Sequence, residues 1–177
     1  MNGKRFLSTK LGDGMEFNTV IKKRRSIRKY KTEKIPDEIL ENILEAARQS
    51  PSGKNIQPYH FIIVKNQETK HKIDPRLTDA PVYIVGFVDP TKGRCSVPDG
   101  IIAFEHIILA AVNYGLGACW KGTYLGELEQ EEKEIKEILN VPMHMSLVAY
   151  TPLGYSDEQP DERPKKPLSE IVHYEKW

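Results

Sequence analysis

Basic side chains are concentrated in one short stretch of this chain. Between Lys22 and Lys34 the sequence reads KKRRSIRKYKTEK, in which eight of 13 residues are Lys or Arg. Acidic residues dominate elsewhere, as in the segment Glu129–Leu139. Several cations held close together are what an anion-binding site requires. The same pattern is also typical of a solvated surface or of an arm that binds nucleic acid, and charge alone leaves these interpretations open.

The sequence lacks the usual catalytic and metal-binding patterns. The five histidines form no H-E-x-x-H or other close ligand pair, and the two cysteines form no C-x-x-C motif. The segment SGKN at Ser52 lacks the first glycine and the final Ser or Thr of a Walker phosphate loop. The glycines from Gly115 onward follow a predicted helix, whereas a dinucleotide-binding turn follows a strand. We therefore predict no metal site and no catalytic side chain, which fits an enzyme whose cofactor carries the chemistry.

The spacing of apolar residues predicts the elements that must position the basic segment. A helix over residues 16–23 would place the basic segment at its C-terminal end. Two apolar runs without alternation, residues 59–65 and Val82–Val88, are typical of strands covered on both faces. Further helices are predicted at residues 36–50, Gln67–Ile73, 99–114 and Glu129–Leu139, and a further strand at 145–150.

Two of these elements carry more specific expectations. The helix over 99–114 is apolar nearly all round, so we expect it in the interior or in an interface, with Asp99 as its N-cap and Gly115 and Gly117 at its end. Four prolines between Pro152 and Pro167 predict an extended rather than helical segment. Together the elements indicate an α+β protein.

Composition limits the remaining possibilities. A chain of 177 residues with a net charge of +1 is long enough for one domain, and it is too neutral for a general nucleic-acid or membrane-surface binder. We expect no membrane span, and the two cysteines favour the cytoplasm. Residues 1–14 lack periodicity and are interpreted as an N-terminal extension without a function, while 15–177 form a single domain with an extended C-terminal arm.

Five short segments carry a resemblance to a known family. They read RRSIRKY from Arg24, SPSGKNIQPYHF from Ser50, DAPV from Asp79, GLGACWKG from Gly115 and PLGY from Pro152. Together and in this order they resemble the FMN-dependent nitroreductase family, over nearly the whole chain from Met15 onward. The resemblance implies a nitroreductase-like α+β fold, with a central, mainly antiparallel sheet flanked by helices. It also implies an entwined homodimer with FMN at the subunit interface and a C-terminal arm that crosses to the partner.

The resemblance also implies which residues hold FMN. The first motif surrounds the phosphate and the ribityl chain, and its last arginine faces the N1/O2 edge of the flavin. The second motif covers the ring from the partner subunit, the fourth lays backbone against the flavin, and cations near the C-terminus reach the phosphate. Gly117 and Gly122 have an alternative interpretation as a helix stop and a turn, and Lys166 is the neighbouring alternative to the C-terminal cations. The residues so implied are Arg24, Arg25, Ser26, Arg28, Pro51, Ser52, Gly53, Asn55, Gln57, Trp120, Lys121, Gly122, Arg163 and Lys165.

The activity implied is transfer of a hydride from NADH or NADPH, through flavin N5, to a small electron-poor acceptor such as a nitroaromatic or a quinone, with ping-pong kinetics. Relatives of this fold also perform dehalogenation, dehydrogenation or flavin breakdown, and these remain alternatives. A third, more remote alternative is a non-enzymatic module that binds nucleic acid through the basic segment. The segments between residues 65 and 80 and between Pro90 and Pro98 are short for the family, so no substrate residues are carried over.

Overall fold

The computed structural model describes residues 14–77, 79–122 and 129–177. The N-terminal extension predicted from the sequence therefore lies outside the described residues, except for Gly14. The helices are α1 Phe17–Lys23, α2 Asp37–Arg48, α3 Gln67–Ile73, α4 Ser96–Asn113 and α5 Glu129–Leu139. The strands are β1 Tyr59–Val64, β2 Val82–Val88, β3 Gly117–Ala118 and β4 Ser146–Gly154.

The four strands form one antiparallel sheet in the order β1-β2-β4-β3. Strand β2 lies between β1 and β4, and all seven of its residues are buried, as its continuous apolar run predicts. Strand β1 is instead an edge strand with an exposed His60, so the prediction that it is covered on both faces was wrong. The α+β class and the antiparallel sheet are confirmed.

Helices α2 and α4 cover one face of the sheet. Ile43 from α2 and Phe104 and Ile107 from α4 are fully buried in a core that includes Val88 and Val148. Gly100 is needed at the crossing of α4 over the sheet, because a Cβ there would collide with the side chains of Val88 and Val148. The sheet and α4 are therefore in direct contact, and both continue into the site described below.

Helices α3 and α5 cover the other face. Tyr83 and Tyr150 stack side by side on adjacent strands, with ring centroids 6.2 Å apart, and pack with Phe87 and Ile135. The apolar residues of α5 face this core, which explains why its remaining surface is almost entirely charged.

Helix α4 begins earlier than the sequence analysis predicted. Its first residue is Ser96 and its N-cap is Cys95, so Asp99 lies inside the first turn rather than at the cap. Pro98 also falls in this first turn, where its missing N–H breaks no helical hydrogen bond. The Asp99 carboxylate instead accepts the backbone N–H of Gly53 at 3.0 Å. Asp99 therefore links α4 to the turn at Gly53 and does not cap the helix.

Strand β4 is longer than predicted and runs through Pro152 to Gly154. The backbone N–H and C=O of Tyr150 both bond Lys121, on the β3 side of the strand. Pro152, two residues later, has the same orientation, so its missing N–H removes no bond to β2. Beyond Gly154 the chain forms no helix until a short turn at Leu168–Glu170, as the prolines predict.

By length and composition alone, α4 could cross a membrane, which differs from the expectation that no such run exists. In the fold it is the central helix, and residues such as Phe104 and Ile107 are buried against the sheet. Core helices commonly meet the same criterion, so this carries no argument for a membrane.

Candidate functional site

The basic segment that follows α1 is held against the edge strand β3. The backbone N–H of Ile27 donates to the carbonyl oxygen of Ala118 at 2.9 Å, and the Tyr30 hydroxyl donates to the carbonyl oxygen of Ile27. Burial raises the pKa of the Tyr30 hydroxyl, which therefore remains a neutral donor. Gly117 permits this close approach, since a Cβ there would lie 2.8 Å from side-chain carbons of Ile27. Because Ile27 and Tyr30 face inward, the charged residues beside them remain at the surface.

These charged residues line a cleft of about 180 Å³, which we call the arginine cleft. Its two walls are the basic segment and the beginning of the C-terminal arm, which are more than 130 residues apart in the chain. The arm is brought there by pairing, because the Asp157 N–H donates to the Lys29 carbonyl oxygen at 3.0 Å and the Lys31 N–H to that of Tyr155 at 2.9 Å. The lining residues are Arg24, Arg25, Ser26, Arg28, Pro160, Asp161, Arg163 and Lys165.

The arginine cleft has a strong excess of positive charge. Five of its lining side chains are cationic, against one carboxylate, that of Asp161. Within the part of the chain that the structure describes, none of the five cations forms an ion pair. The Arg25 guanidinium is oriented by two hydrogen bonds of 2.9 Å, from Nη1 to the carbonyl oxygens of Lys22 and Arg24. Such a cluster is electrostatically unfavourable by itself and favourable around a phosphate.

The second motif forms a tight turn elsewhere on the surface. Three non-glycine residues, Lys54, Asn55 and Gln57, have positive φ angles of 54°, 58° and 52°. This costly conformation is held by Ser52, whose hydroxyl accepts the Gln57 N–H at 2.9 Å, and by the bond from Gly53 to Asp99. The Gln57 amide also donates to the side-chain oxygen of Asn55 at 2.9 Å.

Gly53 borders a separate cleft of about 400 Å³ at the N-terminal end of α4, and this cleft shares no lining residue with the arginine cleft. The cleft at α4 is lined by Gly53, Lys54, Ile56, Lys92, Gly93, Arg94, Cys95, Ser96 and Asp99. Within one chain, the first and second motifs therefore lie on different surfaces.

The segment after β3 continues along the same sheet edge as the basic segment. The Trp120 ring packs edge-on against Phe104, with ring centroids 5.0 Å apart, and the backbone of Lys121 pairs with Tyr150. The Lys121 ammonium lies 3.8 Å from the buried Asp74 carboxylate, away from the arginine cleft. Gly122 lies beneath the indole, since a Cβ there would collide with Trp120.

Comparison with known proteins assigns the chain to a family. The family model described as the Nitroreductase family matches residues 21–84 and 70–155, which include the basic segment, the second motif and all four strands. The chain belongs to the nitroreductase family.

Individual relatives of this nitroreductase-family chain agree with that assignment. A protein named NADH dehydrogenase/NAD(P)H nitroreductase from Methanothermobacter thermautotrophicus is 38% identical over 172 residues, which cover 92% of this chain and 88% of that protein. The solved structure of an FMN-dependent nitroreductase from Clostridium difficile R20291 superposes with a TM-score of 0.80 at 32% identity, covering 89% of this chain and 98% of that one. The iodotyrosine deiodinase of Thermotoga neapolitana is 27% identical over 184 residues, which cover 85% of this chain and 92% of that protein. The nitroreductase fold predicted from the resemblance is confirmed.

The structure of this nitroreductase-family chain brings some of the predicted site residues together and leaves others apart. The basic residues of the first motif meet Arg163 and Lys165 in the arginine cleft. Lys166, the alternative, does not line it, and its ammonium lies 4.0 Å from Glu170. The second motif does not reach that cleft in the same chain. That these residues bind a cofactor stays a prediction.

Sequence reasoning missed a buried ionic cluster beneath Lys121. The Asp74 carboxylate, 1% exposed, accepts two hydrogen bonds from the Arg76 guanidinium at 2.8 and 3.0 Å and one from the Tyr150 hydroxyl at 3.1 Å. Burial alone would raise the pKa of this carboxyl, but the hydrogen bonds and charge of Arg76 outweigh burial and lower it. Burial and the adjacent Asp74 charge raise the pKa of Tyr150. The only sequence signal for this cluster is an aspartate directly after an amphipathic helix, which is ordinarily a surface position.

Proposed function

We propose that this protein is an FMN-dependent oxidoreductase that takes a hydride from NADH or NADPH and reduces a small electron-poor acceptor, such as a nitroaromatic or a quinone. The observation that carries the proposal is the arginine cleft, with five cations around one carboxylate. The names of the relatives, which include an FMN-dependent nitroreductase, support the choice of cofactor.

The residues of the arginine cleft fit the phosphate of FMN. A phosphate dianion accepts several charge-assisted hydrogen bonds at once, and guanidinium groups match its geometry. A cleft of about 180 Å³ holds a phosphate group but is smaller than the roughly 300–1,000 Å³ of pockets that enclose drug-sized ligands. The flavin ring must therefore lie on a further surface.

In this proposal the phosphate is bound by four cationic side chains, those of Arg24, Arg25, Arg163 and Lys165. The Ser26 hydroxyl is an additional hydrogen-bonding group beside the phosphate. Arg28 supplies a fixed cation at the N1/O2 edge of the ring, where negative charge accumulates on reduction.

The backbone of Trp120, Lys121 and Gly122 lies on the same sheet edge and supports the ring. The bound flavin supplies hydride and electron transfer, and we assign no catalytic side chain.

The site is completed by a second copy of the chain. The second motif lies on a surface separate from the arginine cleft, so its residues cover the flavin of the partner subunit rather than their own. These residues are Pro51, Ser52, Gly53, Asn55 and Gln57. The exposed face of α4, on which Ile102 is 40% exposed, belongs to the interface. The arm is exposed from Gln159 to Trp177, and its part beyond the arginine cleft crosses to the partner.

We place the protein in the cytoplasm. Cys95 and Cys119 are free thiols, one exposed and one buried, which suits a reducing compartment.

A second candidate is reductive dehalogenation at the same flavin site. It is favoured by the similarity to an iodotyrosine deiodinase over most of both chains. The two activities share the fold and FMN and differ in the substrate. Dehydrogenation and flavin breakdown remain further alternatives for the same site.

A nucleic-acid module remains the remote alternative. It would predict a steep loss of nucleic-acid affinity with salt, whereas a site for one small cofactor predicts no such binding.

The test is the visible absorption spectrum of the purified protein, followed by anaerobic addition of NADH or NADPH and then of a nitroaromatic or a quinone. We expect a flavin spectrum that bleaches with the nicotinamide and returns with the acceptor. An Arg24→Gln/Arg163→Gln double variant should lose FMN, while Lys34→Gln, a change at an exposed lysine outside both clefts, should retain it.

Flavin that stays oxidised with both nicotinamides would favour the alternative chemistries. A colourless protein that does not bind added FMN would refute the proposal.

A further inference from the structure

The cleft at the N-terminal end of α4 has a charge pattern that the cofactor does not explain. Three basic side chains, Lys54, Lys92 and Arg94, line this cleft of about 400 Å³, and Ile56 adds an apolar wall. We call it the donor–acceptor cleft, for the reason given below. None of its three basic residues belongs to the set that we assign to FMN.

The positive charge of this cleft is largely uncompensated. Among the described residues, Lys54 and Arg94 form no ion pair, and Lys92 has one acidic neighbour, Asp89, at 3.9 Å. The Asp99 carboxylate also lines the cleft, but it is buried and already accepts the Gly53 N–H at 3.0 Å. The cleft is therefore lined by three cations, of which Lys92 is paired with Asp89, and by the engaged carboxylate of Asp99. The partial positive charge at the start of the 18-residue helix α4 adds to the same field.

The position of the cleft connects it with the substrates. Its wall contains Gly53 and Lys54, part of the turn that the proposed function places over the flavin of the partner subunit. A molecule that exchanges a hydride with that flavin must lie beside this turn. An anionic group on such a molecule would then reach Lys54, Lys92 and Arg94.

We propose that the donor–acceptor cleft binds an anionic group, a phosphate or a carboxylate, carried by the electron donor or by the electron acceptor. This inference rests on the proposed function for the identity of the bound molecule. The inference adds anionic compounds as a preferred substrate class. Donors and acceptors that carry a negative charge should be better substrates than neutral ones of the same reactivity. Charge-assisted hydrogen bonds supply the selectivity.

The first test is alkylation of Cys95, which needs no flavin chemistry. Cys95 is exposed and lines the cleft, whereas the only other cysteine, Cys119, is buried, so a neutral maleimide reports on this cleft. Saturating NADP⁺, or 4-nitrobenzoate as a carboxylate probe, should slow the labelling several-fold. The protection should disappear in a Lys92→Gln/Arg94→Gln double variant and persist in a Lys31→Gln/Lys34→Gln double variant, whose changes lie outside both clefts.

The second test separates donor from acceptor by kcat/KM of the holoenzyme. If the donor carries the anion, kcat/KM for NADPH falls in the Lys92→Gln/Arg94→Gln variant by on the order of tenfold or more per removed charge. The kcat/KM for an uncharged dihydronicotinamide that lacks the phosphates stays unchanged. If the acceptor carries it, the loss is seen with 4-nitrobenzoate and not with nitrobenzene. Lys54→Gln should act in the same direction, and the FMN content of the Lys92→Gln/Arg94→Gln variant should equal that of the wild type.

The outcomes separate this inference from the proposed function. A holoenzyme that turns over, with no protection of Cys95 and equal losses for charged and uncharged substrates, overturns the inference and leaves the proposed function intact. A protein without FMN, in which NADP⁺ or 4-nitrobenzoate still protects Cys95, supports the anion site while the proposed function fails.

Discussion

Arg28 is held in the arginine cleft through its backbone, which leaves its guanidinium available. The Arg28 N–H donates to Glu158 Oε1 at 2.5 Å, and the Lys29 N–H donates to the same oxygen at 3.2 Å. The carboxylate of Glu158 thus ties the basic segment to the C-terminal arm through main-chain donors. Substitution of the Arg28 side chain should therefore leave the segment in place.

We predict that Arg28→Gln makes the midpoint potential of the bound FMN more negative. Loss of the cation that we propose lies near N1 would disfavour the reduced, negatively charged flavin, and an effect of about 1.4 kcal/mol corresponds to roughly 30 mV for a two-electron couple. The measurement is an anaerobic redox titration against reference dyes, with Lys34→Gln as the control. An unchanged potential in a variant that still binds FMN would show that Arg28 does not face N1.

The Asp74 cluster joins three parts of the chain. It links the end of α3, through Tyr150, to strand β4, and through Lys121 to the segment that follows β3. The backbone carbonyl of Asp74 also accepts the Tyr83 hydroxyl at 3.0 Å. A buried carboxylate with several donors is costly to leave unpaired, so this cluster specifies how these elements pack.

We predict that Asp74→Asn lowers the free energy of unfolding at neutral pH by about 2 kcal/mol, the typical value of hydrogen bonds to a charged group. The pKa of Asp74 is lowered in the folded state from its ordinary value of 3.8. The contribution of the Asp74 carboxylate to the free energy of unfolding is therefore fully present above pH 3.8, and it is lost as the pH falls through the lowered pKa. Urea unfolding of wild type and variant over this pH range measures both effects.

Asp37→Asn is the matched control, because the exposed Asp37 forms an ion pair with the exposed Lys65 at 2.7 Å, which should contribute little. A difference between wild type and Asp74→Asn that stays constant down to the most acidic pH would contradict the assigned ionisation.

At the scale of the whole molecule, the C-terminal arm has two parts with different roles. Residues 155–158 pair with the basic segment, and Arg163 and Lys165 line the arginine cleft. The remaining segment, from Pro167 to Trp177, is exposed throughout, and Trp177 contacts His173 within the same segment, with ring centroids 4.2 Å apart.

We predict that a chain ending at Lys166 keeps FMN, whereas a chain ending at Glu158 binds it at least tenfold more weakly. The shorter chain loses the two cations that we propose bind the phosphate, and it keeps the pairing that holds the basic segment. Fluorescence titration with FMN measures the affinity, and circular dichroism shows whether both chains are folded. Equal FMN affinities of the two truncated chains would show that Arg163 and Lys165 do not belong to the site.

The proposed dimer makes a separate prediction about α4. Ile102→Asp places a charge on the exposed apolar face of the helix and should shift the protein toward monomers, because burying that charge in an interface is costly. FMN should be lost together with the dimer, since we propose that the partner supplies the second motif. Sedimentation and FMN content measure the two effects. Met143→Asp, at an exposed methionine on the segment after α5, is the control and should change neither.

A fully dimeric Ile102→Asp variant would exclude this face from the interface. A monomeric variant that keeps FMN would show that one chain holds the cofactor by itself.

Local pattern alone determined much of this protein. The bounds of α3, α5 and β2 follow from apolar periodicity and from continuous apolar runs, because these patterns set which residues can be buried against a core. The density of cations after α1 left an anion site, a solvated surface and a nucleic-acid arm open, whereas five short motifs in order indicated the nitroreductase family, which the comparisons confirm.

Only the tertiary structure decided how distant residues meet. Asp99 looks like a cap in the sequence, yet it binds Gly53, because the helix starts one turn earlier. Asp74 has the sequence context of a surface residue, yet it is buried, and its carboxylate accepts hydrogen bonds from Arg76 and Tyr150. The family resemblance placed Arg163 and Lys165 near the phosphate, but it is strand β4 and the pairing after it that carry the arm back to Arg24. Contacts of this kind depend on chain topology and not on local spacing, which is the physical reason that the sequence alone did not contain them in readable form.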